Sequence, residues 1–398
     1  MTTRHAVVSG ASIAGLSAAF WLRRTGWEVT VLERASEFRD GGQNVDVRGA
    51  GREVLARMGL TEAVRAQNTT ETGTVFVDDS GEVLVELPSD GPDGATAELE
   101  ILRGDLARTI LRKLPEGVEI SYGDSITAVE EEADGVTVTT NAGRVLRADL
   151  LVIAEGVRST TRDLLFEGQV DRRALGITMV FGTIPRTTHD DSRWRWHTTV
   201  GGRQVHLRPD NHGTTRAILA CTESEDPTRL GQARALARFR DRFSGVGWEA
   251  PRILDGFDAS DDVYFDHLTQ IRMPLWHRGR VCLTGDAAWC VTPMGGGGAS
   301  LALVSGYVLA ASLSGTGSLT TSLTAYETWM RPLVDDVQQL PRWIKPFAFP
   351  QTRLGLAMRR TADKALISPI LAPLTARFTR IAHTDRALPS IATTDRTK

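Results

Sequence analysis

Cysteine is scarce. The 398 residues contain three, Cys221, Cys282 and Cys290, with no C-x-x-C pair and an odd one over. This excludes a disulfide framework and a cysteine-built zinc site, so no metal is expected, and it points to a reducing cytoplasm. An excess of one charge is also missing: the formal net charge of −3 gives no electrostatic case for nucleic acid or an acidic membrane surface. Long hydrophobic runs are absent too. The longest, residues 299–313, is interrupted by serines and a glycine and is too short to span a bilayer. Residues 1–4 lead at once into an apolar strand, which leaves no room for a signal peptide. There is no internal repeat and no low-complexity segment. What is present, 41% hydrophobic and 24% charged residues, is the composition of a globular chain long enough for a large core shared by two domains.

The first pattern along the chain is a β-α-β unit. "HAVVSG" (5–10) is a short apolar strand, "SIAGLSAAFWLRRTG" (12–26) has helical periodicity with Gly26 at its end, and "WEVTVLER" (27–34) is a second buried strand. Such a unit favours a parallel pair with a right-handed crossover. "REVLARMGL" and "LRGDLARTILRKL" then read as helices, "TVFVDDSGEVLVEL" (74–87) as a hairpin, and residues 117–156 as a run of strands. From about 170 to 275, alternating segments flank one helix-like stretch, which suggests an antiparallel sheet. The α/β character returns at "GRVCLTGDAA" (279), and the chain beyond Leu303 reads as helical to near its end. The expected fold is α/β plus α+β. A Rossmann-like, discontinuous nucleotide domain (1–170 and 276–330) carries an antiparallel-sheet substrate domain (171–275) and a helical C-terminal region (331–398).

Two stretches point to a cofactor. "GASIAG" (10–15) stands where a dinucleotide fold reads G-x-G-x-x-G, with Ser12 in place of the middle glycine. By itself this is equally an ordinary strand-to-helix turn. Its position argues for a site: Gly10 follows a strand, the amides of Ile13 and Ala14 open a helix, and Glu33 ends the next strand. The pyrophosphate would rest on the helix N-terminus and Glu33 would accept from ribose hydroxyls. The Ser12 hydroxyl can donate to a phosphate oxygen or cap the helix. The second stretch, "LTGDAAWCVTPMGGGG" (283–298), could be a plain flexible loop, yet four successive glycines cost conformational entropy on folding. It is not a phosphate loop of the G-x-x-x-x-G-K-[ST] kind, since no lysine follows.

Taken with "AEGVRSTTR" (154–162), these motifs agree in order and spacing with a known family. The chain resembles the FAD-dependent aromatic hydroxylases, single-component flavin monooxygenases of the para-hydroxybenzoate hydroxylase type. Within them it is similar to the actinobacterial branch near the tetracycline-inactivating and polyketide-modifying enzymes, and the likeness covers residues 1 to about 330. The resemblance implies that Glu33 binds the adenosine ribose with Arg34 beside it, and that Arg103 binds the pyrophosphate or ribityl region. Asp286 would hydrogen-bond a ribityl hydroxyl. The amides of residues 295–298, Gly296 and Gly298 among them, would lie against the isoalloxazine ring, with Pro293 and Ala299 also in the cofactor site and Asp46 and Arg48 on a loop nearby. Glu155 stands where the family usually has the aspartate of A-D-G, a residue linked to both FAD and NAD(P)H. Trp289 replaces a common histidine, and Gly297 and Ser300 replace common polar residues of the glycine loop.

The activity so implied is hydroxylation of an aromatic or polyketide-like small molecule with O2 and NADPH or NADH, through a flavin hydroperoxide. Only one dinucleotide turn is visible, and no catalytic acid or base is demanded. For the substrate, "RWRWHTTVGGRQVHLRPDNHG" (193–213) places Trp194 and Trp196 on one face of a strand, and His206 and Arg208 on one face of the next. Flat substrates suit tryptophan faces and a histidine can deprotonate a phenol, although sheet packing accounts for the same pattern. Three rivals remain: a Baeyer–Villiger oxidant on the same scaffold, a flavoprotein without oxygenase turnover, and a flavin halogenase. The halogenase motif W-x-W-x-I-P breaks off here at His197 and Thr198. The expected assembly is a monomer or weak homodimer with no membrane span.

Overall fold

A computed structural model describes residues 3–88, 99–366 and 386–391. Two large sheets organise it. The first has six strands in the order His277–Arg278, Val281–Leu283, Leu150–Ile153, His5–Ser9, Glu28–Glu33 and Val118–Tyr122, all parallel except for the first pair. Its central strands are apolar because helix Ile13–Arg24 packs against them and strand Val145–Ala148 also contacts His5–Ser9. The helix Ile13–Arg24 is buried from Ile13 to Leu22 and crosses the helix Gly298–Leu313. The crossing is close: a Cβ on Gly306 would lie 2.4 Å from the Ser17 main chain, and Ser17 Oγ donates to Leu303 O at 2.7 Å. Helix Gly298–Leu313 is apolar on every side, as a helix enclosed on every side must be.

The second sheet has seven strands in the order Tyr264–Arg272, Asp171–Pro185, Thr214–Thr222, Arg203–Pro209, Trp194–Thr199, Gly73–Val77 and Val83–Pro88. Alternation along Asp171–Pro185 sends Val180 and Ile184 to one face, under the helices Gln232–Arg242 and Ala250–Asp258. Ile177, Met179 and Phe181 go to the other, with Leu268 and Phe349. This matches the expected fold class, with one correction. The hairpin at 73–88 was grouped with the first domain, but it extends the second sheet through a parallel pairing of Gly73–Val77 with Trp194–Thr199. A hairpin's own alternation specifies its two faces and says nothing about which sheet edge it will join.

Two smaller sheets complete the strands. Val145–Ala148, Val136–Thr140 and Ile126–Glu131 form an antiparallel trio, and Asn44–Asp46 pairs with Glu100–Leu102. The chain continues through helices Leu319–Gln338, Ile344–Ala348 and Arg353–Leu366. The expected helical tail beyond residue 366 lies mostly outside the described residues. Among the described residues, no helix is long and apolar enough to cross a membrane.

Candidate functional site

The glycine turn is fixed by close packing. Gly10 has φ +106°, and a Cβ there would stand 2.4 Å from Ala154 O; one on Gly15 would stand 1.9 Å from Gly10 O. The two outer glycines are therefore required by main chain alone. Ser12 differs. It is exposed, occupies the N-cap of the first helix, and makes no capping hydrogen bond, so of its two expected roles the cap is not made here. Behind it, Ile13 and Ala14 bury their side chains while their amides belong to the first turn, where no intrahelical acceptor exists. Glu33 reaches the same turn. Its Oε2 accepts from Ala11 N and its Oε1 from Ala35 N, both at 2.9 Å, and each oxygen keeps a lone pair for a further donor. Arg34 is exposed beside it.

Asp286 stands next to this turn, since a Cβ on Gly285 would meet the Ala14 Cβ at 2.6 Å. Burial among protein atoms raises its pKa to about 6, helped by the charge of Asp266 and opposed by Arg103. Its surface is nevertheless open to water, so this carboxyl lines a recess instead of the core. Arg103, the first residue of helix Arg103–Leu111, lies over Gly42, whose φ is +137° and where a Cβ would sit 2.8 Å from Arg103 Nε. Its charge also acts on Asp266 and Tyr264, and Tyr264 stacks on Phe181 at 4.8 Å. Four segments distant in sequence thus meet around Asp286.

The glycine loop is the third part. Pro293 is exposed; Gly296 and Gly297 take φ +68°; Gly298 and Ala299 begin the long helix, half-buried. Ser300 Oγ accepts from Arg48 N at 2.9 Å and donates to Asp46 O at 3.3 Å, which seats the 46–48 loop against that helix start. Arg48 is buried and ion-paired to Asp46 at 3.1 Å.

Glu155 is held by the protein's own donors. Oε1 accepts from Ser9 Oγ and Thr161 Oγ1, each at 2.6 Å, and Oε2 from Ser159 Oγ at 2.7 Å and Thr161 N at 3.1 Å. The carboxylate thereby ties the first strand to helix Thr160–Leu165. Beside it the buried Arg162 donates to Ala287 O and Val157 O, so the 154–162 motif braces the Asp286 segment from within.

On the second sheet the two tryptophans and their neighbours do come together. Trp194 and Trp196 stack at 5.1 Å, Trp196 lies opposite His206 in the ladder, and the Arg208 guanidinium sits 4.1 Å above the Trp194 ring. Arg195 and His197 take the opposite face, as the alternation requires, with Asp191 and Trp248. His206 cannot be the base considered for it. Trp194 Nε1 donates to His206 Nδ1 at 3.1 Å, so that nitrogen is bare and Nε2–H donates to Gln204 Oε1 at 3.2 Å. Burial, reinforced by Arg208 and Arg359, holds its pKa well below the usual imidazole range.

Sequence reasoning missed what holds Arg208. It donates to both oxygens of Glu71, at 2.8 and 3.2 Å, and stands 3.2 Å from Glu100 Oε1. Glu100 also receives Asn44 Nδ2 and Thr69 Oγ1, each at 2.6 Å. It missed Arg359 too, buried between Phe76, Trp196 and Phe347 and paired with Asp363. These residues belong to no local motif.

Comparison with known proteins agrees with this geometry. A family model described as an FAD binding domain matches residues 3–340. The chain is 33% identical over 346 residues to a flavin-dependent monooxygenase of Legionella longbeachae, covering 85% of this chain and 88% of that one. Its fold is similar to that of tetracycline destructase Tet(51), with a TM-score of 0.81 and 25% identity over 98% of this chain and 100% of the other. Klebsiella pneumoniae HpxO, solved with FAD and uric acid, shares the fold at a TM-score of 0.78 and 23% identity, over 94% of this chain and 96% of that one.

Proposed function

The chain belongs to the FAD-binding monooxygenases of the para-hydroxybenzoate hydroxylase type, and on that premise we propose that it hydroxylates an aromatic or polyketide-like small molecule at the expense of NAD(P)H and O2. The observation that carries this reading is the convergence of separate segments: Glu33 holds the glycine turn at Ala11, Gly285 packs on Ala14, the charge of Arg103 acts on Asp286, and Ser300 seats the 46–48 loop. The residues fit FAD: a helix start with free amides, a carboxylate beside that turn, an arginine, an exposed acid, and a glycine loop without Cβ atoms.

When bound, FAD supplies the electron and oxygen chemistry. The protein's own groups do the rest. The first turn of helix Ile13–Arg24 receives the pyrophosphate, Glu33 accepts from the ribose, Asp286 takes a ribityl hydroxyl, and residues 293–299 support the ring. The second sheet excludes water from the reacting centre and presents the Trp194, Trp196 and Arg208 face to the substrate. Since His206 is neutral and committed at both nitrogens, the substrate is not deprotonated by it. The likeness to a tetracycline destructase supports a polycyclic, oxygen-rich substrate.

The test is oxygen uptake by the FAD-loaded protein with NADPH and then NADH, across a panel of phenols and aromatic polyketides, with hydrogen peroxide followed alongside. Stimulated uptake with little peroxide and a product heavier by one oxygen atom is the expected result. Failure of both nucleotides to reduce the flavin under every condition would overturn it.

A further inference from the structure

Charge does not balance around Arg208. The strand Asn44–Asp46 runs antiparallel to Glu100–Leu102 with Asp46 directly opposite Glu100, so two carboxyls face each other across one ladder position. Glu71 adds a third on the far side of Arg208, with its side chain fully buried. Against these three acids stand two guanidinium groups, Arg208 and Arg48, both buried. Asp46, paired with Arg48, keeps a third of its side chain exposed, so the uncompensated negative charge of an all-ionised cluster would fall on Glu71 and Glu100, which are buried and share Arg208, an arrangement that burial strongly disfavours.

A second observation bears on the same point. Asp46 Oδ1 and Glu100 Oε2 are buried with no hydrogen-bond donor among the described residues, as is Asn44 Oδ1 on the same strand. Buried acceptors without a donor are rare, and a proton bound within the cluster adds a donor among them. We infer that Asp46, Glu71 and Glu100 form, with Arg48 and Arg208, a buried cluster that holds one proton at neutral pH and so fixes Arg208 over the Trp194 ring. Glu71 is its main seat. Burial raises its pKa to about 8; Arg208 opposes this, and Glu100 and Asp46 add to it.

The groups facing Glu71 are Arg208 from strand Arg203–Pro209, Glu100 from the opposite strand end, and Asp46 from the flavin-side loop. His206, beyond Arg208 on the same strand, is neutral. The cluster therefore joins the 46–48 loop to the strand of Arg208. Its role in positioning Arg208 for a substrate rests on the proposed function, whereas the proton count does not.

Infrared spectroscopy of the FAD-loaded protein tests the count. A protonated-carboxyl band is expected at neutral pH, lost on alkaline titration and missing in Glu71→Gln; its absence from the wild type would overturn the inference. Thermal melting gives a second measure. The raised Glu71 pKa contributes stability that is complete below the unfolded value and lost as pH rises through the folded one. Glu71→Gln mimics the protonated acid and should melt with wild type near about pH 5 and above it near about pH 9; parallel curves would contradict a shared proton. For positioning, near-ultraviolet circular dichroism of the stacked indoles should persist in Glu71→Gln and fall in Glu71→Ala. Equal loss in both variants would mean the ion pair alone holds Arg208. None of these readouts needs turnover, so they fail or succeed independently of the substrate assignment.

Discussion

Along the first sheet the site is bounded by backbone, and along the second by paired side chains. Gly10 and Gly15 stand where a Cβ would strike main-chain atoms, and Gly296 and Gly297 turn the chain at positive φ. Opposite them, Arg208 lies between Glu71 and Glu100 and above Trp194, each from a different segment. The difference teaches how each wall tolerates change. A backbone wall fails when an atom is added, because main chain cannot move aside. A side-chain wall fails when an atom is removed, because a buried charge then loses its partner.

Arg208→Ala is expected to have the largest effect. It leaves the Glu100 carboxylate buried without its cation and Glu71 without its donor, which should cost roughly 3–5 kcal/mol in denaturant unfolding. A loss below about 1 kcal/mol would show that this wall is not held by charge pairing. Gly10→Ala tests the opposite wall. The added Cβ combines a clash with a positive φ, so a loss of about 3 kcal/mol together with weaker FAD retention is expected. If it binds FAD like wild type, the turn is looser than its packing indicates.

Glu33→Ala sharpens the comparison, because it is a side chain on the backbone wall. Loss of a carboxylate acceptor is expected to weaken FAD binding by about tenfold or more, measured by flavin fluorescence on dilution. Unchanged affinity would remove Glu33 from the ribose site. Ser12→Gly should do least. Ser12 is exposed and caps nothing, so stability should change by only a few tenths of a kcal/mol. A marked fall in FAD affinity in this variant, with stability intact, would instead assign the hydroxyl a direct phosphate contact.

The same contrast explains what could be read in advance. The glycine turn, Glu33 at the end of the second strand and the glycine loop before a long apolar helix are local patterns, each set by φ, by period or by a strand end. The alternation that separates Trp194 and Trp196 from Arg195 and His197 is equally local, and the ladder bears it out. Glu155 and His206 show what residue type alone leaves out. Their residue types suggest a free carboxylate and a free base, but Ser9, Ser159 and Thr161 occupy the one, and Trp194 and Gln204 the other.

The amino-acid sequence by itself determined the β-α-β cofactor unit, the antiparallel sheet and the family, because steric limits on φ and the periods of helix and strand act over a few residues. Only the tertiary structure decided that the 73–88 hairpin extends the second sheet, that Glu155 is satisfied internally, and that Arg208 meets Glu71 and Glu100. The hairpin pairing, the Ser9 contact of Glu155 and the Arg208 pairs depend on segments packed together after more than a hundred intervening residues, and the burial that follows sets the cost of every unpaired charge.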